Sequence, residues 1–148
     1  MKPHPSFRHF DIPRSHRLGP FCLKALTIND LDRDYAAVME SAREIKLANP
    51  GSKWPADDLT REQNMIDLAW HQREFEARRS YAWVIEDEFG DYLGCAYVYP
   101  AINGELAAEP KWWWRTGKQV DRPAFRKLFL DWLAGSDWPE LDYHHFVD

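Results

Sequence analysis

Apolar positions crowd into the interval from Tyr81 to Pro100, where two runs flank the polar stretch Glu86-Asp87-Glu88-Phe89-Gly90-Asp91, and this pattern predicts a β-hairpin. Lys111-Trp112-Trp113-Trp114-Arg115 reads as a third strand. Side chains alternate across a strand, so three consecutive tryptophans put aromatic bulk on both faces, and a sheet accepts this only where both faces are covered. The spacing therefore predicts a central position for that strand. Behind it, Phe125, Leu128, Phe129, Trp132 and Leu133 step at helical intervals, with Asp121 as N-cap and Pro123 in the first turn, and Gly135 and Pro139 mark the end.

The first half carries a weaker version of the same signals. Four prolines in residues 1–20 (Pro3, Pro5, Pro13, Pro20) predict an irregular arm, with a single domain over 21–148. Phe21 to Leu26 reads as a strand, and Thr27 with Asp30 as a capping-box start for a helix through Leu31, Tyr35, Val38, Met39 and Ala42. Asn49-Pro50-Gly51-Ser52 breaks that helix. Thr60 and Gln63 form a second capping box, opening a long helix with Met65, Leu68, Ala69 and Phe75 on overlapping apolar faces. Leu141 to Val147 reads as a last short strand. The order β, α, α, β, β, β, α, β predicts an α+β (α/β) fold: a central mixed, mostly antiparallel sheet flanked by helices.

At 148 residues, with 45% hydrophobic residues, the chain is long enough for one substantial core. A net charge of -5 argues against nucleic acid, whose binders carry basic patches. No run reaches the roughly 18 apolar residues of a membrane helix, and no signal-like segment opens the chain, so no membrane partner and a cytoplasmic location are expected. Cys22 and Cys95 fall in apolar runs without a neighbouring cysteine and read as buried thiols. His144 and His145, adjacent in a strand, point to opposite faces and do not share an ion, so no metal is expected. His4, His9, His16 and His71 lack ligand spacing and receive no role.

Leu26-Thr27-x-x-Asp30-Leu31, Trp54-Pro55 followed by Leu59-Thr60-x-x-x-Asn64, Ser80-Tyr81-Ala82-Trp83-Val84-Ile85, and Leu93 to Pro100 resemble an uncharacterised bacterial branch of the Gcn5-related N-acetyltransferase (GNAT) superfamily. The resemblance implies an acyl-CoA N-acyltransferase fold, truncated at the C-terminus, that transfers an acetyl group from acetyl-CoA to a primary amine of a small molecule or peptide. It also implies a cofactor site on Trp113, Trp114 and Arg115 of the strand and on Gly117, Lys118, Gln119 and Arg122 of the following loop. The superfamily's usual glycine pattern is absent there: Arg115 to Val120 holds one glycine in another register, and Asp121 puts a carboxylate where a phosphate approaches.

For the chemistry, Tyr143 is the nearby candidate for the acid that protonates the departing thiolate. Glu109, at the mouth of the tryptophan strand, leads Glu86 and Glu105 as candidate base, since a carboxylate in a cleft can hold a raised pKa. Trp54 and Tyr99 extend an aromatic wall for the substrate. The alternative is a catalytically silent relative that binds another ligand, or a dimeric interaction module whose open sheet edge a second copy covers.

Overall fold

The computed structural model describes residues 2–102 and 106–144. Its sheet is a meander in sequence order, built from β1 (Ser15–Leu18), β2 (Phe21–Ala25), β3 (Tyr81–Glu86), β4 (Tyr92–Pro100), β5 (Ala107–Trp114) and β6 (Asp142–Tyr143). All neighbours are antiparallel except β5 and β6, which run parallel. The helices are α1 (Leu31–Glu40), α2 (Ala42–Ala48), α3 (Arg61–Glu76) and α4 (Arg122–Leu133).

Both capping boxes form. The Thr27 hydroxyl accepts the Asn29 N–H while Asp30 accepts the Thr27 N–H, and Thr60 and Gln63 bond each other reciprocally at the head of α3. Each satisfies donors that the first helical turn leaves open. The first helix, expected to run on to Ala42, stops at Glu40, because Ser41 is fully buried and its hydroxyl accepts the Thr116 N–H at 2.9 Å. That bond ties the break between α1 and α2 to the loop that follows β5.

The N-terminal arm is more ordered than its prolines suggest. Ser15–Leu18 pairs with β2 through the turn at Gly19 and Pro20, where Gly19 takes φ +58°. Phe7 is fully buried, with its ring edge-on to Tyr81 and Trp138, and the Trp83 indole donates to the Pro13 carbonyl at 3.1 Å. The arm thus seals one face of the sheet. Its strand escaped the pattern because Ser15 and Arg17 are exposed and His16, though stacked on Trp132, is polar, leaving Leu18 as the one buried apolar position.

Alternation along the strands feeds two cores. Trp83, Ile85, Ala96, Trp112 and Trp114 face α4 and the arm, meeting Phe125, Phe129 and Trp132. Ala82, Val84, Cys95, Tyr97 and Trp113 face the helices of the first half, meeting Val38, Ile45 and Leu68. All three tryptophans of β5 are buried, as the two-faced pattern requires. In sheet order the strand is next to last rather than central: it pairs with β4 from Ala108 to Trp114 and with β6 at Ala107 and Ala108.

The seam between β4 and β5 depends on Gly94. A Cβ built there would stand 2.0 Å from the Trp113 carbonyl oxygen, which belongs to backbone and cannot swing aside. Gly94→Ala therefore forces β4 and β5 apart. Overpacking of this kind costs about 1–3 kcal/mol, so the variant is expected to show a clear fall in denaturant midpoint, and an unchanged midpoint would contradict the close approach.

Candidate functional site

Cys95, Tyr97 and Tyr99 of β4 lie opposite Trp113, Lys111 and Glu109 of β5 and share one face of the sheet. Above them α2 brings Ile45 and Ala48, α3 brings Asp67, Trp70 and His71, and the loop between these helices brings Asn49, Ser52 and Trp54. These groups enclose a chamber of about 300 Å³. The Tyr97 and Tyr99 rings stack at 5.7 Å, the His71 ring lies 5.5 Å from Tyr97, and the Trp113 indole donates to the Tyr97 hydroxyl at 2.9 Å.

Three titratable groups define the electrostatics. Burial, together with the Asp34 carboxylate behind it, pushes the Asp67 carboxyl up to about 6. Burial lowers His71 to about 4, so its imidazole is neutral at physiological pH, with Nε2 3.6 Å from the Asp67 carboxylate. Lys111 enters from β5, donating to Asn49 Oδ1 at 2.8 Å and pairing with Glu109 at 2.8 Å, and partial burial lowers its pKa. At neutral pH the chamber therefore holds an ionised Asp67 beside a neutral His71, and a lysine already matched by a carboxylate.

A second cavity of about 230 Å³ is lined by Glu44, Leu47, Ala48, Trp112, Trp113, Trp114 and Arg122. It shares Ala48, Trp112 and Trp113 with the chamber, so the two follow β5 from the start of α4 inward. Because the Arg115 N–H bonds the Leu93 carbonyl of β4, alternation turns the Trp114 N–H away from β4. The cavity's lining joins Leu47, Ala48 and the three tryptophans of β5 to the charged Glu44 and Arg122.

The loop at this cavity's outer end fits its expected ligand poorly. Gly117 takes φ +82°, Lys118 and Gln119 are exposed, and Arg122 lies 3.8 Å from Glu44. The Arg115 guanidinium is held by Glu40, and the Thr116 N–H by Ser41. Asp121 accepts the Ala124 N–H at 3.0 Å, so a carboxylate already occupies the anion-favouring end of α4. A pyrophosphate there would have Lys118 and Arg122 for counter-charge and Asp121 against it.

The structure brings Trp54, Tyr99 and Trp113 together in the chamber, and Trp114 and Arg122 to the second cavity. Glu109 stands beside the chamber, engaged with Lys111. Tyr143 is elsewhere: its hydroxyl donates to the Pro139 carbonyl at 2.8 Å and its ring packs on Trp138, in the core on the other face of the sheet. Glu86 is buried in ion pairs with Lys24 and Arg33, and Glu105 and His145 lie outside the described residues. Asp67, Trp70, His71 and Lys111 were not legible as site residues. No motif marks them, and the one available signal was a histidine and an aspartate four apart on a helix, which share a face. Among the described residues no group of His, Cys, Asp and Glu could hold a metal ion, and no helix is long and apolar enough to cross a membrane.

No protein-family model matches the sequence, and none of the curated proteins does. Solved structures do. The ribosomal-protein α-N-acetyltransferase RimL in complex with coenzyme A aligns with a TM-score of 0.65 at 13% identity, over 83% of this chain and 67% of that one. A ribosomal-protein alanine acetyltransferase from Vibrio fischeri aligns at 0.60 and 14%, over 81% and 67%. A chimera of the Vibrio cholerae spermidine N-acetyltransferase SpeG aligns at 0.55 and 16%, over 78% and 62%. The apo form of RimL is matched over 64% of its length, so this chain spans a little under two thirds of that enzyme. These likenesses, at 13–16% identity, show the fold: that of this chain is the GNAT acyl-CoA N-acyltransferase fold.

Proposed function

We propose that the chain is an N-acyltransferase that takes acetyl-CoA along β5 and transfers the acetyl group to a primary amine held in the chamber. The carrying observation is that two cavities adjoin along β5, sharing Ala48, Trp112 and Trp113, and that the larger one holds a half-buried carboxylate that titrates near neutrality. The likeness to acetyltransferases, one solved with coenzyme A, supports the same reading.

Bound acetyl-CoA supplies the electrophilic thioester carbonyl. The chain's own groups supply the rest. The stretch of β5 from Trp112 to Trp114 forms one wall of the smaller cavity, and the Trp114 N–H offers a backbone donor to the cofactor's arm. Lys118 and Arg122 furnish positive charge at the outer end. In the chamber Asp67 accepts a proton from the incoming ammonium, leaving a neutral nitrogen that can attack. His71 stays neutral beside it and does not compete as a cation. Asp121 favours the second reading, a silent relative with the same fold, because its charge opposes a phosphate at the head of α4.

Three measurements separate these readings. Acetyl-CoA at a hundred times its Kd should stabilise the native state by about 2.7 kcal/mol and raise Tm by several degrees; no rise at millimolar ligand would favour the silent relative. Lys118→Glu should weaken acetyl-CoA and Asp121→Asn, which keeps the cap but removes the charge, should strengthen it, each by about 0.3–1 kcal/mol, the scale of a charge at a helix N-terminus. Opposite signs in calorimetry would support the loop as the phosphate site, and two silent variants would remove it. Because Asp67 must be ionised to accept a proton and its pKa is about 6, kcat/KM should rise with pH through about 6 and level above it. Asp67→Asn should abolish that limb and lower kcat by about 10²–10⁴-fold; an unaltered profile would assign the base elsewhere.

A further inference from the structure

The chamber's walls and charges restrict what it can hold. Trp54, Trp70, Tyr97 and Tyr99 supply four aromatic surfaces around about 300 Å³, the lower end of the usual range for small-molecule sites. Trp70 is 48% exposed, an uncommon position for an indole, and it stands at this rim rather than on a featureless surface. Lys111 brings a positive charge that Glu109 offsets at 2.8 Å and Asn49 further engages. Asp67 has His71, neutral at physiological pH, as its recorded ion-pair partner. The chamber is left with one uncompensated negative charge among aromatic faces.

We infer that the acceptor is a primary monoamine with an aromatic or branched apolar body and no carboxylate. The inference deepens the acyltransferase reading by naming the class of amine, and rests on that reading only for the subsequent transfer. One ammonium matches Asp67, and aromatic faces attract it further. The apolar body replaces water against the indoles and tyrosines. A polyamine would place its remaining cations against Lys111 or the aromatic walls, away from water and without a counter-charge. An amino acid would bring a carboxylate toward Asp67 and Glu109, and Lys111 is already matched. Charge count and wall chemistry thus both point away from polyamines and zwitterions.

The test is calorimetric titration of the full chain, without acetyl-CoA, using 2-phenylethylamine, spermidine and phenylalanine as probes. 2-Phenylethylamine should bind at least about tenfold more tightly than either of the others, a difference of 1.4 kcal/mol. Asp67→Asn should reduce its affinity at neutral pH, and Trp70→Ala should do so with Tm retained. Spermidine or phenylalanine binding as tightly as 2-phenylethylamine would overturn the proposal, as would 2-phenylethylamine binding that both variants leave unchanged. The outcomes are separable from those of the acyltransferase reading. Acetyl-CoA binding without 2-phenylethylamine binding sinks the acceptor class alone, whereas 2-phenylethylamine binding without acetyl-CoA binding sustains the chamber's selectivity and sinks the transfer.

Discussion

Trp112 and Trp114 leave one face of β5 and Trp113 the other, and this alternation binds both helical layers to a single strand. On one side the two rings meet Phe21, Phe125 and Phe129 at centroid distances of 4.9–6.2 Å. On the other the Trp113 indole bonds Tyr97 and so fixes the chamber floor. Aromatic rings of this size dominate buried area in a small domain. The arrangement works only because Gly94 lets β4 approach, and the chamber, which hangs from the paired positions of β4 and β5, inherits its shape from that seam.

The same strand leads to the weakest-matching part of the site. β5 runs into a loop held by the end of α1 and the break after it, through Glu40 on Arg115 and Ser41 on Thr116, with Gly117 at φ +82° making its turn. Asp121 then stabilises α4 in the usual manner of an N-cap. A good cap and a good phosphate site ask opposite things of one position, and here the cap is what the residue provides.

Much of the fold was legible because it rests on local rules. The capping boxes at Thr27 and Thr60, the N-cap at Asp121 and the stripe from Phe125 to Leu133 depend on residues within a few positions of each other. β1 was missed because three of its four residues are polar, so no apolar alternation marks it, although His16 stacks on Trp132 of the core. In α3 the apolar residues misled. Met65 is 45% exposed, and the buried stripe runs through Asn64, Leu68, His71 and Phe75, two of them polar. Asn64 is held by the buried Asp34 carboxylate at 2.9 Å, a partner thirty residues away. The chamber was illegible for the same reason: Asp67 and Lys111 come to line one cavity only through elements remote in sequence.

The neighbouring Asp67 and His71 also couple the chamber to the whole chain's proton balance. Asp67 is displaced from 3.8 to about 6, so over that interval the folded chain keeps a proton the unfolded chain has released, and stability falls as pH rises. His71 is displaced from 6.5 to about 4, so over nearly the same interval the folded chain has lost a proton the unfolded chain retains, and stability rises. The two slopes oppose each other. One turn of α3 thereby acts as a compensated pair: between about pH 4 and 6 the chamber passes from holding a neutral acid to holding an anion while the combined pull of these two groups on folding stays nearly level. The chamber's charge is in this way decoupled from the stability of the scaffold that carries it.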